Sequence, residues 1–134
     1  VVVSAKINAR ICRIVFSYLL VKLSMPKKPE TLFKERVRED LRTLPSTWFV
    51  KIQQVAIRGI PDFLVCIDGI FVAIELKASR LAARDPLQTW TLESIAKCGG
   101  RAFVAYPENW SETLEYLREI ADNSAEFVSI EDGN

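Results

Sequence analysis

Apolar and polar positions alternate along the chain in patterns that predict helices and strands after the first 24 residues. Helical spacing is followed by Phe33, Val37, Leu41 and Leu44. Pro45 closes this first helix. Residues 47–57 (TWFVKIQQVAI) are rich in the aromatic and β-branched residues typical of a strand, and the RGIP segment breaks it.

Two further strand-like segments, DFLVCI at 62–67 and IFVAIELKA at 70–78, flank the dipeptide Asp68-Gly69. This dipeptide is typical of a two-residue type I′ turn, so the segment is predicted to be a tight β-hairpin. Between the charged positions the residues are apolar on both faces, as in a central strand that is covered on both sides.

The second half of the chain alternates helix and strand. A helix is predicted after Asp85 as N-cap and Pro86 as first helical residue, ending at Gly99. RAFVAY then reads as a strand, SETLEYLREIA as an amphipathic helix and EFVSI at 126–130 as a short strand. The predicted order α-β-β-β-α-β-α-β indicates an α/β domain with a central mixed sheet, antiparallel at the hairpin and parallel across the next helix.

Composition excludes several kinds of site. The 134 residues suffice for one domain, and 49% apolar with 26% charged residues is typical of a globular chain. Three cysteines without a CxxC pair argue against a zinc site or a disulfide framework and fit a reducing, cytoplasmic compartment. Histidine is absent. Catalysis would therefore use carboxylates, lysine, arginine, hydroxyls or a metal held by oxygen ligands.

Charge and hydropathy set residues 1–24 apart. They carry four basic and no acidic side chains, whereas the other 110 residues hold 14 basic and 17 acidic ones, a net charge of −3. The apolar stretch 14–23 is too short to span a membrane. Three interpretations fit this extension: translation that begins at Met25, which we favour, an additional helix, or a targeting or membrane-surface segment. The second part, 25–134, is predicted to be a single domain.

The hairpin brings three charged side chains together. A two-residue turn at Asp68-Gly69 places Asp62 directly opposite Glu75, and Lys77 lies on the same face as Glu75. Facing carboxylates repel each other, and partial burial increases the cost. Lys77 offsets one charge, and Mg²⁺ bridging the carboxylates would offset the rest and activate water toward a phosphodiester. The alternative is a solvated strand end with an ordinary surface ion pair.

At these residues the sequence resembles the PD-(D/E)xK nuclease superfamily, and within it the VRR-NUC (virus-type replication-repair nuclease) group, which is similar to Holliday-junction resolvases. The matching residues are GIPD at 59–62, IELK at 74–77, and LQ at 87–88 opening a helix that ends in GG. The resemblance covers about residues 30 to 106. It implies a restriction-endonuclease-like core with a central mixed sheet flanked by helices, in a single nuclease domain over 25–134.

The resemblance also implies the roles of individual residues. Asp62 and Glu75 would be metal ligands for Mg²⁺ (or Mn²⁺), together with the backbone carbonyl of Leu76. Lys77 would be the catalytic lysine, and Gln88 the glutamine that follows the E-x-K strand, directed at the site by its place in the first helical turn.

Residues outside the motifs are assigned from helix faces and residue type. Family members also use a glutamate of the first helix, for which Glu30 lies near the sheet-facing stripe and Glu35 is the alternative. The candidates for contacts with DNA phosphates are three basic residues, Arg58, Lys51 and Lys34. Packing in or beside the core is the expectation for the three tryptophans, Trp48, Trp90 and Trp110, although stacking on unpaired bases is the alternative.

The resemblance leads to the interpretation of a Mg²⁺-dependent endonuclease acting on branched or flapped DNA in phage or bacterial replication and repair. A domain this small would need a second copy to cut both strands of a junction, so a homo-oligomer is a further expectation. The alternative is a non-catalytic nucleic-acid-binding or assembly protein that retains the nuclease fold. Loss of Asp62, Glu75 or Lys77 would mark such a protein, and all three are present.

Overall fold

The protein folds as a four-stranded mixed sheet flanked by helices. The computed structural model describes residues 9–53 and 56–128. Its elements are α1 Ala9–Ser24, α2 Pro29–Arg42, β1 Thr47–Lys51, β2 Phe63–Ile67, β3 Ile70–Leu76, α3 Pro86–Lys97, β4 Arg101–Ala105 and α4 Trp110–Val128. The strands lie in the order β1-β2-β3-β4, with antiparallel pairing from β1 to β3 and parallel pairing between β3 and β4. The α/β class and the mixed sheet are confirmed.

The turn between β2 and β3 has the geometry that the sequence predicts. Asp68 and Gly69 have φ angles of 49° and 76°, the left-handed values of a type I′ turn. Phe63 consequently pairs with Ile74. The predicted register of the hairpin is therefore confirmed.

One face of the sheet, which we call the core face, carries the hydrophobic core. Alternate residues of β2 (Phe63, Val65 and Ile67) are fully buried there beneath α2 and α4. Trp110 at the start of α4 is also fully buried, and its ring meets that of Phe33 edge-on at 6.3 Å. The first predicted helix and the core position of Trp110 are thus both confirmed.

The opposite face, the second face, is covered only in part. Helix α3 packs against β4 and β3 there and buries Leu92. Trp48 on β1 and Trp90 on α3 remain about two-thirds exposed. The expectation that these two tryptophans pack in or beside the core is wrong. Among the described helices, α3 packs mainly on β4 and β3, so Trp48 on β1 stays in solvent, and Trp90 on α3 itself is equally exposed.

Two predicted strand boundaries are wrong. Helix α4 continues to Val128, so the first three residues of the predicted strand 126–130 are helical, and the last two lie outside the described residues. Between Pro107 and Val128 the sequence has no glycine or proline that would end the helix earlier. The strand predicted at 47–57 ends at Lys51, and Gln54 and Val55 lie outside the described residues.

The N-terminal extension is helical where the structure describes it. In α1, large apolar side chains on all sides are exposed, among them Ile14, Phe16 and Leu20. Within residues 9–53 and 56–128, no helix combines the length and the apolar character needed to cross a membrane.

Candidate active site

The predicted charged cluster forms at the open end of the β2–β3 hairpin. Asp62 directly precedes β2 and lies across from Glu75 on the second face. One carboxylate oxygen of Asp62, Oδ2, accepts a hydrogen bond of 2.8 Å from the backbone N–H of Leu76. This bond holds Asp62 against β3, so the carboxylate is positioned by the hairpin itself.

Glu75 is a buried carboxylate in which only one of the two oxygens has a side-chain partner among the described residues. The residue is 4% exposed, and its Oε1 is 3.2 Å from Nζ of Lys77. Its Oε2 is buried without a hydrogen-bond partner among the described residues. Burial raises the pKa of Glu75 and the charge of Asp62 raises it further, whereas Lys77 and, to a smaller extent, the backbone N–H of Asp62 lower it. A buried, unsatisfied oxygen of this kind is unfavourable unless something binds it.

Lys77 is held by a second partner from α3. Its Nζ donates a hydrogen bond of 2.9 Å to Oε1 of Gln88, which lies in the first turn of that helix. The predicted orientation of Gln88 toward the site is therefore observed. Helix α3 begins where the sequence predicts, because the Asp85 side chain accepts a 2.9 Å hydrogen bond from the N–H of Leu87.

Gly59 of the GIPD motif sets the distance between the loop before β2 and α3. Its φ is +84°, and a Cβ there would lie 3.0 Å from the backbone and Cβ of Leu87. Only glycine accepts both that φ and that approach without strain. Gly59 therefore positions the turn that carries Gln88, a role that the motif alone did not indicate.

Helix α2 brings a lysine closer to the hairpin carboxylates than a glutamate. Nζ of Lys34 lies 2.8 Å from Oε1 of Glu30 and 4.0 Å from Oδ1 of Asp62. This pairing lowers the pKa of Glu30 and raises that of Lys34. Glu30 is more than half exposed and reaches the site through Lys34, whereas Glu35 pairs with Lys27 at 2.8 Å.

The donor atoms fit a hard divalent cation with few protein ligands. Across the described part of the chain, no three His, Cys, Asp or Glu side chains form a cluster, so Glu30 stays apart from the two hairpin carboxylates. Asp62 and Glu75 remain as the charged oxygen donors, and the buried Oε2 of Glu75 is the atom that a cation would satisfy. Mg²⁺ is commonly held by one or two carboxylates with waters and phosphate oxygens. These residues therefore fit Mg²⁺.

The structure places one further basic residue at the site and does not bring all of the predicted basic residues to it. Arg84, in the loop before α3, lines a small crevice together with Glu75, Lys77 and Gln88. Sequence reasoning missed it, although a basic residue between the E-x-K strand and the glutamine helix was the available signal. Arg58 is exposed.

Lys51 lies away from the crevice. It pairs with Phe63 and so belongs to the core face, the side opposite Asp62 and Glu75. This position gives no support to its predicted phosphate contact.

Comparison with known proteins supports the fold. No family model and no curated protein matches the chain. A solved structure described as "VRR_NUC domain" is similar to it, with a TM-score of 0.56 and 23% sequence identity. The similarity covers 69% of this chain and 97% of that chain. The chain therefore has the fold of a VRR_NUC domain.

Proposed function

We propose that this protein is a metal-dependent nuclease of the VRR-NUC group that hydrolyses DNA phosphodiester bonds, with flaps or junctions as its substrates. The observation that carries the proposal is the buried, unpartnered Oε2 of Glu75 beside Asp62 and Lys77. A purely structural ion pair would be more stable with both oxygens satisfied. The arrangement is the one expected where a cation completes the site.

Asp62, Glu75 and the Leu76 carbonyl would hold Mg²⁺, with Mn²⁺ as a substitute. When bound, the cation supplies Lewis-acid stabilisation of the phosphoryl oxygens and promotes ionisation of water at neutral pH. The hydrogen bond from Leu76 to Asp62 Oδ2 orients one carboxylate, and the β3 backbone orients the other. The chain thus provides two negative charges in a fixed relation.

Lys77 would stabilise the negative charge that develops on the phosphoryl group. Its ammonium lies between Glu75 Oε1 and Gln88 Oε1, so two of its three protons are engaged and the third remains to donate to a phosphate oxygen. Fixed donors of this kind require little reorganisation during the reaction. Gln88 is a positioning residue that acts through Lys77.

The charge distribution supports recognition of DNA by a few basic side chains beside the carboxylates. Residues 25–134 carry a net charge of −3, which does not attract long duplex DNA in general. Basic groups do stand beside the carboxylates, with Lys34 on one side and Arg84 on the other. Contact with a few phosphates around the cut is consistent with recognition of a branched structure, in phage or bacterial replication and repair.

A cleavage assay tests the proposal. Labelled flap, four-way junction, single-stranded and duplex DNA would be incubated with Mg²⁺ or with EDTA, using the wild type, Lys77→Ala and the matched control Lys97→Ala. Lys97 is an exposed lysine at the other end of α3. We expect metal-dependent cutting that falls by roughly 10²-fold or more in Lys77→Ala and is unchanged in Lys97→Ala.

Two results would overturn this assignment. Equal cutting by Lys77→Ala would remove the lysine from the chemistry. DNA binding by the folded wild type, without cutting of any substrate in Mg²⁺ or Mn²⁺, would identify a non-catalytic nucleic-acid-binding protein instead.

A further inference from the structure

Lys34 lies among three carboxylates at the open end of the hairpin. It stands in the second turn of α2, where its Nζ is 2.8 Å from Oε1 of Glu30 and 4.0 Å from Oδ1 of Asp62. Only 27% of its side chain is exposed. The hydrogen bond to Glu30 raises the pKa of Lys34 most, the charges of Asp62 and Glu75 add to this effect, and burial opposes it. The lysine therefore carries its positive charge beside the two proposed metal ligands.

Helix α2 keeps this lysine within reach of the site. Phe33, the preceding residue, and Val37, one turn further along, are both buried in the core. Their packing holds the backbone of Lys34 in place, whereas the flexible four-carbon stem leaves the ammonium free to change its position. The charge can therefore pass from one neighbouring anion to another without movement of the helix.

Lys34 and a metal ion would compete for the same oxygen of Asp62. Oδ2 already accepts the 2.8 Å hydrogen bond from the N–H of Leu76. Oδ1 faces Lys34 instead. Lys77 does not compete in this way, because it contacts Oε1 of Glu75 and leaves Oε2 to a cation.

We propose that Lys34 neutralises Asp62 in the metal-free protein and moves to a phosphate of the DNA when Mg²⁺ and substrate bind, so that it couples the two binding events. This inference rests on the proposed nuclease function. Without DNA, the ammonium opposes the binding of a divalent cation at Asp62, because like charges repel each other strongly at this distance. With DNA, a phosphate oxygen replaces Asp62 as its partner. By linkage, DNA then raises the affinity for Mg²⁺ by the same factor by which Mg²⁺ raises the affinity for DNA.

The charges of the ion-paired cluster favour such coupling. The cluster holds three carboxylates, of Glu30, Asp62 and Glu75, and two ammonium groups, of Lys34 and Lys77. With all five groups ionised, its net charge is negative and opposes the approach of a phosphate. A bound divalent cation makes the net charge positive, and the ammonium released from Asp62 then has a phosphate as its natural partner.

A second ion pair of α2 provides the matched control. Nζ of Lys27 lies 2.8 Å from Oε1 of Glu35, and about half of each side chain is exposed. Exposed pairs of this kind contribute little to stability. Lys27→Gln therefore removes a lysine beside the same helix without touching the hairpin carboxylates.

Calorimetry of Mg²⁺ binding in the absence of DNA tests the first half of the proposal. We expect the dissociation constant for Mg²⁺ to fall by about five-fold or more in Lys34→Gln and to stay within about two-fold of the wild type in Lys27→Gln and in the charge-retaining Lys34→Arg. Cutting of flap DNA should nevertheless fall in Lys34→Gln. A lysine with a purely structural role would not combine tighter metal binding with weaker cutting. Urea unfolding checks that each variant folds.

Fluorescence anisotropy of a labelled flap DNA tests the second half. The dissociation constant for DNA is measured in EDTA and in Ca²⁺, a cation that also binds oxygen ligands, and electrophoresis of the same samples confirms that the DNA is intact. We expect the cation to tighten DNA binding at least about three-fold more in the wild type than in Lys34→Gln. Equal tightening in both proteins would overturn the coupling.

The failure of this inference differs from the failure of the proposed function. An unchanged or weaker affinity for Mg²⁺ in Lys34→Gln, with metal-dependent cutting by the wild type, would overturn the role of Lys34 alone. A wild type that neither binds Mg²⁺ nor cuts any substrate would overturn both. A gain in affinity that disappears when Lys34→Gln is combined with Glu30→Gln would also overturn the inference, because the lysine would then act by occupying Glu30 and not Asp62.

Discussion

Asp62 and Leu76, 14 positions apart in the chain, are joined by a 2.8 Å hydrogen bond from the Leu76 N–H to the Asp62 carboxylate. The bond closes the open end of the hairpin and gives the carboxylate two tasks. One oxygen, Oδ2, satisfies the β3 backbone, and the other, Oδ1, is directed toward Lys34. Structure and proposed chemistry therefore depend on the same side chain, and substitutions can separate them.

Asp62→Asn should separate these two tasks. The amide oxygen still accepts the bond from Leu76, so we expect the free energy of unfolding to change by less than about 1 kcal/mol. The negative charge is lost, so Mg²⁺ binding measured by calorimetry should weaken at least 10-fold. Asp62→Ala removes the acceptor as well and should destabilise the protein by about 1–3 kcal/mol. Equal destabilisation by both variants would contradict the assigned role of the hydrogen bond.

Glu75→Gln should stabilise the metal-free protein at neutral pH while preventing metal binding. The raised pKa of Glu75 means that its charged form disfavours the folded state, so a neutral isostere should increase the free energy of unfolding at neutral pH. Denaturant unfolding with and without Mg²⁺ measures both effects. Added Mg²⁺ should stabilise the wild type and leave the variant unchanged.

The same residue predicts a dependence of stability on pH. Because the folded pKa of Glu75 is raised, its contribution to stability is fully present below the ordinary glutamate pKa and is lost as pH rises through the folded value. The difference in unfolding free energy between Glu75→Gln and the metal-free wild type should therefore be small in acid and grow toward neutral pH. A difference that is largest in acid would show that burial does not raise this pKa.

Gln88→Ala should lower the catalytic rate without affecting metal binding. The substitution removes the acceptor that holds Lys77 and leaves both carboxylates in place. We expect kcat to fall by roughly 10-fold, because a catalytic group must be held in place to be effective. Mg²⁺ affinity should stay within about two-fold of the wild type. Thr91→Ala, one turn further along α3, is the matched control.

Gly59→Ala should destabilise the protein and disturb the site together. Its backbone has a φ of +84°, and the added Cβ would press on Leu87 at 3.0 Å. Gly69→Ala is the matched control, since its φ is +76° but nothing lies within 4 Å of the added Cβ. We expect about 1 kcal/mol from the φ alone in the control and about 2–3 kcal/mol at Gly59. Metal-dependent cutting should fall only in Gly59→Ala, because only that change displaces Gln88.

The hairpin and its charged end follow from the local sequence alone. A two-residue turn at Asp68-Gly69 permits one register, and that register sets Asp62 against Glu75 whatever the rest of the fold does. The start and end of α3 were also predicted from nearby residues, since Asp85 and Gly99 act on the backbone within a turn. The hairpin register and the ends of α3 depend on residues within one turn of each other, which is why they were predicted correctly.

Which surfaces are covered became clear only from the packing of the helices on the sheet. Helical periodicity placed Glu30 near the sheet-facing stripe of α2. In the structure Glu30 lies in the first turn of that helix, where it is more than half exposed and pairs with Lys34. The apolar residues on both faces of the hairpin predicted a sheet covered on both sides, and this pattern did not show that Trp48 and Trp90 lie in solvent. Arg84 likewise lies at the crevice only because the fold brings the loop before α3 beside Glu75 and Lys77. Burial arises from contacts between elements far apart in sequence, which local patterns do not encode.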